Sequence, residues 1–192
     1  MQAGVTAANP IAVQAGVEVL RRGGSAADAA VAVQAALGLV EPQSSGLGGG
    51  AFLLYYDAQT RQVTAFNGRE TAPAGATPDM FLGEDGKPLP YAAAVTSGRA
   101  TGVPGALAML GAVQQKFGRL PWGELFDGTI RAAEHGFAVP QRLGRFANSD
   151  FAQATLPDTR ALFTRQDGTL IKGGDMFANP AYAATLRSVA QR

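Results

Sequence analysis

Apolar and small residues recur at spacings that predict most of the chain's elements. Val13, Gly16, Val17 and Leu20 fall at i, i+3, i+4 and i+7, the stripe of an amphipathic helix. Asn9 before Pro10 supplies its N-cap and first helical residue. Arg21-Arg22 and then Gly23-Gly24 end it. Ser25 caps a second helix, with Asp28 three residues on as capping-box partner. After that cap, Ala26–Val40 carries only Asp28 and Gln34 as polar residues, so this helix is expected to be buried on every side. Ala51–Tyr56 is an unbroken apolar run and predicts a strand covered on both faces. A turn at 57–61 returns the chain through a second strand, Gln62–Phe66, its hairpin partner. Residues 4–8 read as a short additional strand.

Further on, Pro104 opens a helix whose apolar face is Ala106, Met109, Leu110, Val113 and Phe117, ended by Gly118. Pro121 opens a fourth helix through Trp122, Leu125, Phe126 and Ile130 to His135-Gly136. Leu162–Thr164 and Thr169–Ile171 flank Asp167-Gly168, a hairpin signal. Asn179-Pro180 caps a last helix that runs to Arg192 without a stop signal, so the chain is expected to continue as part of something larger. No internal repeat or low-complexity linker interrupts the pattern, which predicts one α+β domain over residues 1–192.

Composition narrows the chemistry. Lys+Arg 16 against Asp+Glu 15 leaves a net charge of +1, which gives no basis for a nucleic-acid face or a polybasic membrane patch. Charged residues are only 16% of the chain, low enough to expect surfaces buried against further protein. No apolar run approaches the length a bilayer requires, and no basic n-region precedes an apolar stretch; the compartment is not legible. With 0 Cys there is no thiolate nucleophile, disulfide or cysteine zinc site, and with 1 His no histidine-rich metal centre. No metal or other cofactor is expected.

The Gly-rich loop Gly46-Leu47-Gly48-Gly49-Gly50 invites a phosphate-binding interpretation, but phosphate loops run strand, glycines, helix, whereas here a helix precedes and a strand follows. Close backbone approach at a tight junction is the favoured alternative. Ser44 and Ser45 have no Gly-x-Ser-x-Gly elbow, and the single base, His135, sits at a helix end where a cation is favoured in any case. Asp28, Glu41, Asp57, Glu70, Asp79, Glu84 and Asp85 are scattered and give no metal-ligand spacing. Arg69-Glu70 stands on a loop just after a sheet strand. Either a carboxylate grip by the planar guanidinium or an ordinary local ion pair fits these residues alone.

The order of motifs adds a further clue. Ala7-Ala8-Asn9-Pro10 is followed by Ala15-Gly16, Leu20-Arg21-Arg22-Gly23-Gly24 and Ala27-Asp28-Ala29-Ala30. Glu41-Pro42 and Ser44-Ser45-Gly46-Leu47-Gly48-Gly49-Gly50 come next, then Gly68-Arg69-Glu70-Thr71-Ala72-Pro73, Gly102-Val103-Pro104-Gly105 and Gly118-Arg119-Leu120-Pro121-Trp122. In that order they closely resemble, essentially end to end, the N-terminal part of the large subunit in the gamma-glutamyltranspeptidase family.

The resemblance implies a four-layer αββα N-terminal-nucleophile hydrolase fold, incomplete in this chain. It implies a self-cleaving precursor in which the new N-terminal threonine of the small subunit attacks gamma-glutamyl amides such as glutathione. A gamma-glutamyl-threonine ester is then passed to water or an amino acceptor. Arg69 matches the arginine that holds the glutamyl α-carboxylate. The nucleophilic threonine has no counterpart here, so no catalytic residue is assigned, and the chain is expected to be inactive without a small subunit or a C-terminal segment. Two alternatives remain open at this point: a related acylase of the same family, and a non-catalytic relative that depends on a partner.

Overall fold

Asn9 and Ser25 set the first two helices. In the computed structural model, which describes residues 3–191, the Asn9 side chain accepts from the Ile11 N–H at 3.0 Å and starts α1, Pro10–Arg21. Ser25 and Asp28 close a reciprocal capping box at the head of α2, Ala26–Val40, with the Ser25 N–H donating to Asp28 at 2.8 Å. α2 lies at the centre of the core, and its alanines let α1 pack closely on it. The buried face of α1 is Ala12, Gly16 and Val19; of the expected stripe, Gly16 is buried while Val13, Val17 and Leu20 are half-buried, so the helix is rotated from expectation. Gly16 allows the close approach there: a Cβ would lie 2.8 Å from a Val33 methyl of α2. Residues 4–8 form no strand and pair with no ladder partner, and Val5 covers Gly16.

The expected hairpin is present as β1, Ala51–Asp57, and β2, Gln62–Gly68, antiparallel from Ala51↔Gly68 to Asp57↔Gln62. Its burial differs from expectation. Leu53, Tyr55 and Phe66 pack inward, whereas Phe52 (67% exposed), Leu54 (75%) and Tyr56 (60%) face outward beside Val63. The pleat sends alternate side chains to opposite faces, and only one face has a helix against it. That helix is α4, Ala106–Phe117, whose Phe117 ring stacks on Tyr55 with centroids 3.9 Å apart. It follows α3, the short Tyr91–Val95 helix.

The predicted fourth helix divides into a 3-10 turn, Trp122–Leu125, and α5, Asp127–His135. Phe137–Ala138 (β3) pairs with Met176–Phe177 (β4) in a second small antiparallel sheet. Three short helices absent from the sequence reading lie between them: α6 (Gln141–Ala147), α7 (Ala152–Thr155) and α8 (Pro157–Phe163). Asp167-Gly168 does turn the chain, with Gly168 at φ +80°, but the hairpin shrinks to a single bridge, Thr164↔Leu170, because Leu162 and Phe163 belong to α8. The last helix, α9, is Pro180–Ala190; its expected extension to Arg192 lies outside the described residues. α9 locks onto the core through the Tyr182 hydroxyl, which donates to the Ala35 carbonyl at 2.8 Å, and through the Trp122 indole, which donates to Val189 at 2.9 Å. Burial pushes the Tyr182 phenol well above its ordinary pKa.

The mixture of helices with small antiparallel sheets is α+β. Among the described residues no helix is long and apolar enough to cross a membrane.

Candidate substrate site

Three of the sequence motifs meet at the end of β2. The Gly49 carbonyl accepts from the N–H groups of Gly105 and Ala106, at 3.2 and 3.0 Å, and so caps the start of α4. Thr71 and Val103 exchange both backbone hydrogen bonds, at 3.2 and 2.8 Å, and pin residues after β2 to the strand-like approach to α4. Glycine is required where these backbones touch. A Cβ at Gly105 would lie 2.6 Å from the Gly68 carbonyl oxygen, and one at Gly68 would lie 2.6 Å from the Met109 Cβ. Within the Gly-rich loop the expected close approach holds at Gly50, whose Cβ would lie 2.8 Å from the Glu70 backbone nitrogen, whereas Cβ atoms at Gly46 and Gly48 would meet nothing within 4 Å.

Arg69 and Glu70 stand at this junction. The Asn67 side chain accepts from the Arg69 N–H at 2.9 Å and turns the chain out of β2. Glu70 is seated over Gly50 and Gly102: a Cβ at Gly50 would lie 2.7 Å from its Cδ, and one at Gly102 2.9 Å from its Cβ. From that seat Glu70 meets Arg69 Nε at 3.3 Å. The Arg69 side chain is 70% exposed, and among the described residues its Nη groups have no hydrogen-bond partner. An exposed guanidinium whose Nη groups have no partner among the described residues can take a carboxylate through two parallel hydrogen bonds.

Arg69 and Glu70 line an open cleft of about 480 Å³. Its other walls come from Gly48 and from residues between Thr71 and Gly102, including Met80, Phe81 and Arg99. No residue from Thr71 to Gly105 is buried, so this segment forms a lobe held at its neck by the Thr71–Val103 bridge. Within the lobe, the Thr77 hydroxyl and a backbone N–H hold the Asp79 carboxyl below its usual pKa.

The serines lie elsewhere. Ser44 Oγ accepts from Arg142 at 2.9 Å, and its neighbourhood contains no base. The single histidine donates from Nδ1 to the Arg131 carbonyl at 3.0 Å on the exposed end of α5. Ser44 and His135 therefore form no nucleophile–base pair. Among the described residues no group of three or more His, Cys, Asp or Glu side chains is placed to hold a metal ion.

Two buried carboxylates gain roles that sequence reasoning missed. Glu41, 2% exposed, accepts from Asn9 at 3.1 Å and Gln43 at 2.6 Å and pairs with Arg142 at 3.4 Å. It thereby ties α1, α6 and the start of the Gly-rich loop together. Asp28, fully buried, accepts from the N–H groups of Ser25, Arg119 and Leu120 as well as from Gln114. The capping box revealed the first of these partners; the others are some ninety residues away in sequence and left no local signal.

Comparison with known proteins places the chain in a family. The family model described as Gamma-glutamyltranspeptidase matches residues 12–192. The chain is 40% identical over 185 residues to a glutathione hydrolase proenzyme of Bacillus subtilis strain 168, covering 96% of this chain and 31% of that protein. It therefore spans about a third of the length of that relative. The fold superposes on the crystal structure of Helicobacter pylori gamma-glutamyltranspeptidase with a TM-score of 0.89 at 31% identity, over 100% of this chain and 55% of that one. A cephalosporin acylase from Bacillus halodurans superposes with a TM-score of 0.78 at 28% identity, over 95% of this chain and 34% of that one. By the match over nearly its whole length and by the shared fold, the chain belongs to the gamma-glutamyltranspeptidase family.

Proposed function

We propose that residues 1–192 form one domain, the N-terminal portion of the large-subunit region of a gamma-glutamyltransferase/glutathione hydrolase. The observation that carries this is Arg69: it belongs to the matching motif, lines a cleft, and has no hydrogen-bond partner on its Nη groups among the described residues, with Glu70 in an ion pair beside Nε. In this reading Arg69 grips the α-carboxylate of a gamma-glutamyl group such as that of glutathione. The nucleophile is a threonine outside these residues, freed as a new N-terminus by self-cleavage. Its own amine, with a pKa of about 7.7–8.0, serves as the adjacent base. A gamma-glutamyl-threonine ester then forms and is resolved by water or an amine. No cofactor takes part.

The outward face of β1 and β2 supports the matching architecture. Phe52, Leu54, Tyr56 and Val63 form an apolar surface of the kind that a second sheet would cover in a four-layer αββα sandwich. A related acylase is the second reading, favoured by the superposition on the Bacillus halodurans enzyme. An open Arg69 favours donors with a free α-carboxylate and so weighs toward gamma-glutamyl substrates.

The test is to read the coding sequence past Arg192 and to assay both products on a gamma-glutamyl anilide. Turnover is expected from the complete product and not from residues 1–192 alone. Turnover by residues 1–192 alone would refute an external threonine. A complete, folded product that leaves the anilide intact would refute the gamma-glutamyl assignment.

A further inference from the structure

We propose that Arg99 supplies the Arg69 cleft with a second anion contact, so that the site prefers gamma-glutamyl donors bearing another carboxylate beyond the scissile amide. The inference rests on the reading of Arg69 as the glutamyl clamp and extends it to the leaving side of the substrate. Arg99 sits in the 3-10 turn Gly98–Ala100 of the lobe and lines the same cleft as Arg69 and Glu70. Its Nη1 donates to the Met80 and Leu82 carbonyls, at 2.9 and 3.5 Å. Those bonds hold the guanidinium at the cleft without neutralising it, because a carbonyl carries no net charge.

The cleft's charge balance then selects a ligand. Arg69 is balanced by Glu70 at 3.3 Å, whereas among the described residues no carboxylate pairs with Arg99. Asp79 precedes Met80 but does not line the cleft, and its carboxyl is engaged by Thr77. The lining residues therefore carry one uncompensated positive charge. A gamma-glutamyl group brings its α-carboxylate and α-ammonium together and leaves that surplus unchanged. A second carboxylate removes it. Glutathione, with its terminal glycine carboxylate, and a gamma-linked glutamate chain, with one carboxylate per unit, share this chemistry; a gamma-glutamyl anilide lacks it. Met80 and Phe81 add an apolar wall for the body of such a donor. The cleft, about 480 Å³, is within the range of small-ligand sites.

The experiment compares kcat/KM for glutathione and for gamma-glutamyl-p-nitroanilide in the complete enzyme and its Arg69→Gln, Arg99→Gln and Arg99→Lys variants. Arg99→Gln is expected to lower the glutathione-to-anilide ratio about five-fold, the size of one partly exposed charge contact. Arg99→Lys, which keeps the charge, should retain most of the preference, and added salt should erode it in the unaltered enzyme. An equal loss of preference in Arg99→Lys and Arg99→Gln would mark a purely structural tie to Met80 and Leu82 and overturn the proposal. So would an unchanged ratio in Arg99→Gln while Arg69→Gln impairs both donors, an outcome that leaves the Arg69 clamp standing. If Arg69→Gln spares both donors, the clamp itself fails and the role of Arg99 falls with it.

Discussion

Glu70 forms an ion pair with Arg69 Nε at 3.3 Å, and the Nη groups of the guanidinium have no hydrogen-bond partner among the described residues. Those groups are the ones a ligand carboxylate would engage. Arg69→Gln in the complete enzyme should therefore raise KM for gamma-glutamyl donors about ten- to a hundred-fold, corresponding to one charge-assisted contact of ~1.5–3 kcal/mol. Initial rates across donor concentration measure it. An unchanged KM would remove Arg69 from substrate binding.

Gly50→Ala tests the seat of Glu70. The new Cβ would meet Glu70 Cδ at 2.7 Å and the Glu70 backbone nitrogen at 2.8 Å, and backbone has little room to yield. Overpacking should cost about 1–3 kcal/mol, visible as a lower thermal midpoint, and should also raise KM by displacing the partner of Arg69. Gly46→Ala, where a Cβ meets nothing within 4 Å, is the control and should change neither.

Asp28 gathers donors from Ser25, Gln114, Arg119 and Leu120 inside the protein. Asp28→Ala strands these donors away from water and is expected to destabilise by ~3 kcal/mol or more in a denaturant melt. A change of under ~1 kcal/mol would show that the network is replaceable by water.

Tyr182 links alkaline pH to stability. Its phenol is raised above the ordinary value of 10.0 by burial, so the folded state holds the proton more tightly than the unfolded chain. The associated stability is complete below the unfolded pKa of about 10 and is lost as pH rises above it. Melting temperature should fall above that pH, and Tyr182→Phe should flatten the decline. The same variant should cost ~1 kcal/mol at neutral pH, through the lost bond to the Ala35 carbonyl.

The open sheet face makes a size-dependent prediction. Residues 1–192 expressed alone expose Phe52, Leu54, Tyr56 and Val63 and should self-associate by light scattering. Phe52→Ser with Leu54→Ser should suppress that association. In the complete protein the proposed second sheet would cover this face, and the same pair should then lower the thermal midpoint. No loss of stability in the complete protein would argue against a second sheet over β1 and β2.

The sequence alone determined features that arise within a few residues of chain. The Asn9 and Ser25 caps, the largely apolar character of α2, the β1–β2 hairpin, the face of α4 and the Asn179 cap all follow from local spacing and side-chain chemistry. The motif order also singled out Arg69. Tertiary structure decided what depends on neighbours distant in sequence. An apolar run cannot reveal whether one or both faces of a strand are covered, and β1 proved open on one. The rotation of α1 buries Ala12, Gly16 and Val19 and leaves Val13, Val17 and Leu20 half-buried, with Gly16 close against Val33. The short α6–α8 helices have too few turns to show periodicity. The ion-pair partner of Arg69 is a Glu70 seated on two glycines, Gly50 and Gly102, that fold close to it from separate motifs. Local propensity chooses elements, whereas the side on which each packs, and the edge a charged group is left to offer, are fixed only by the atoms pressed against it.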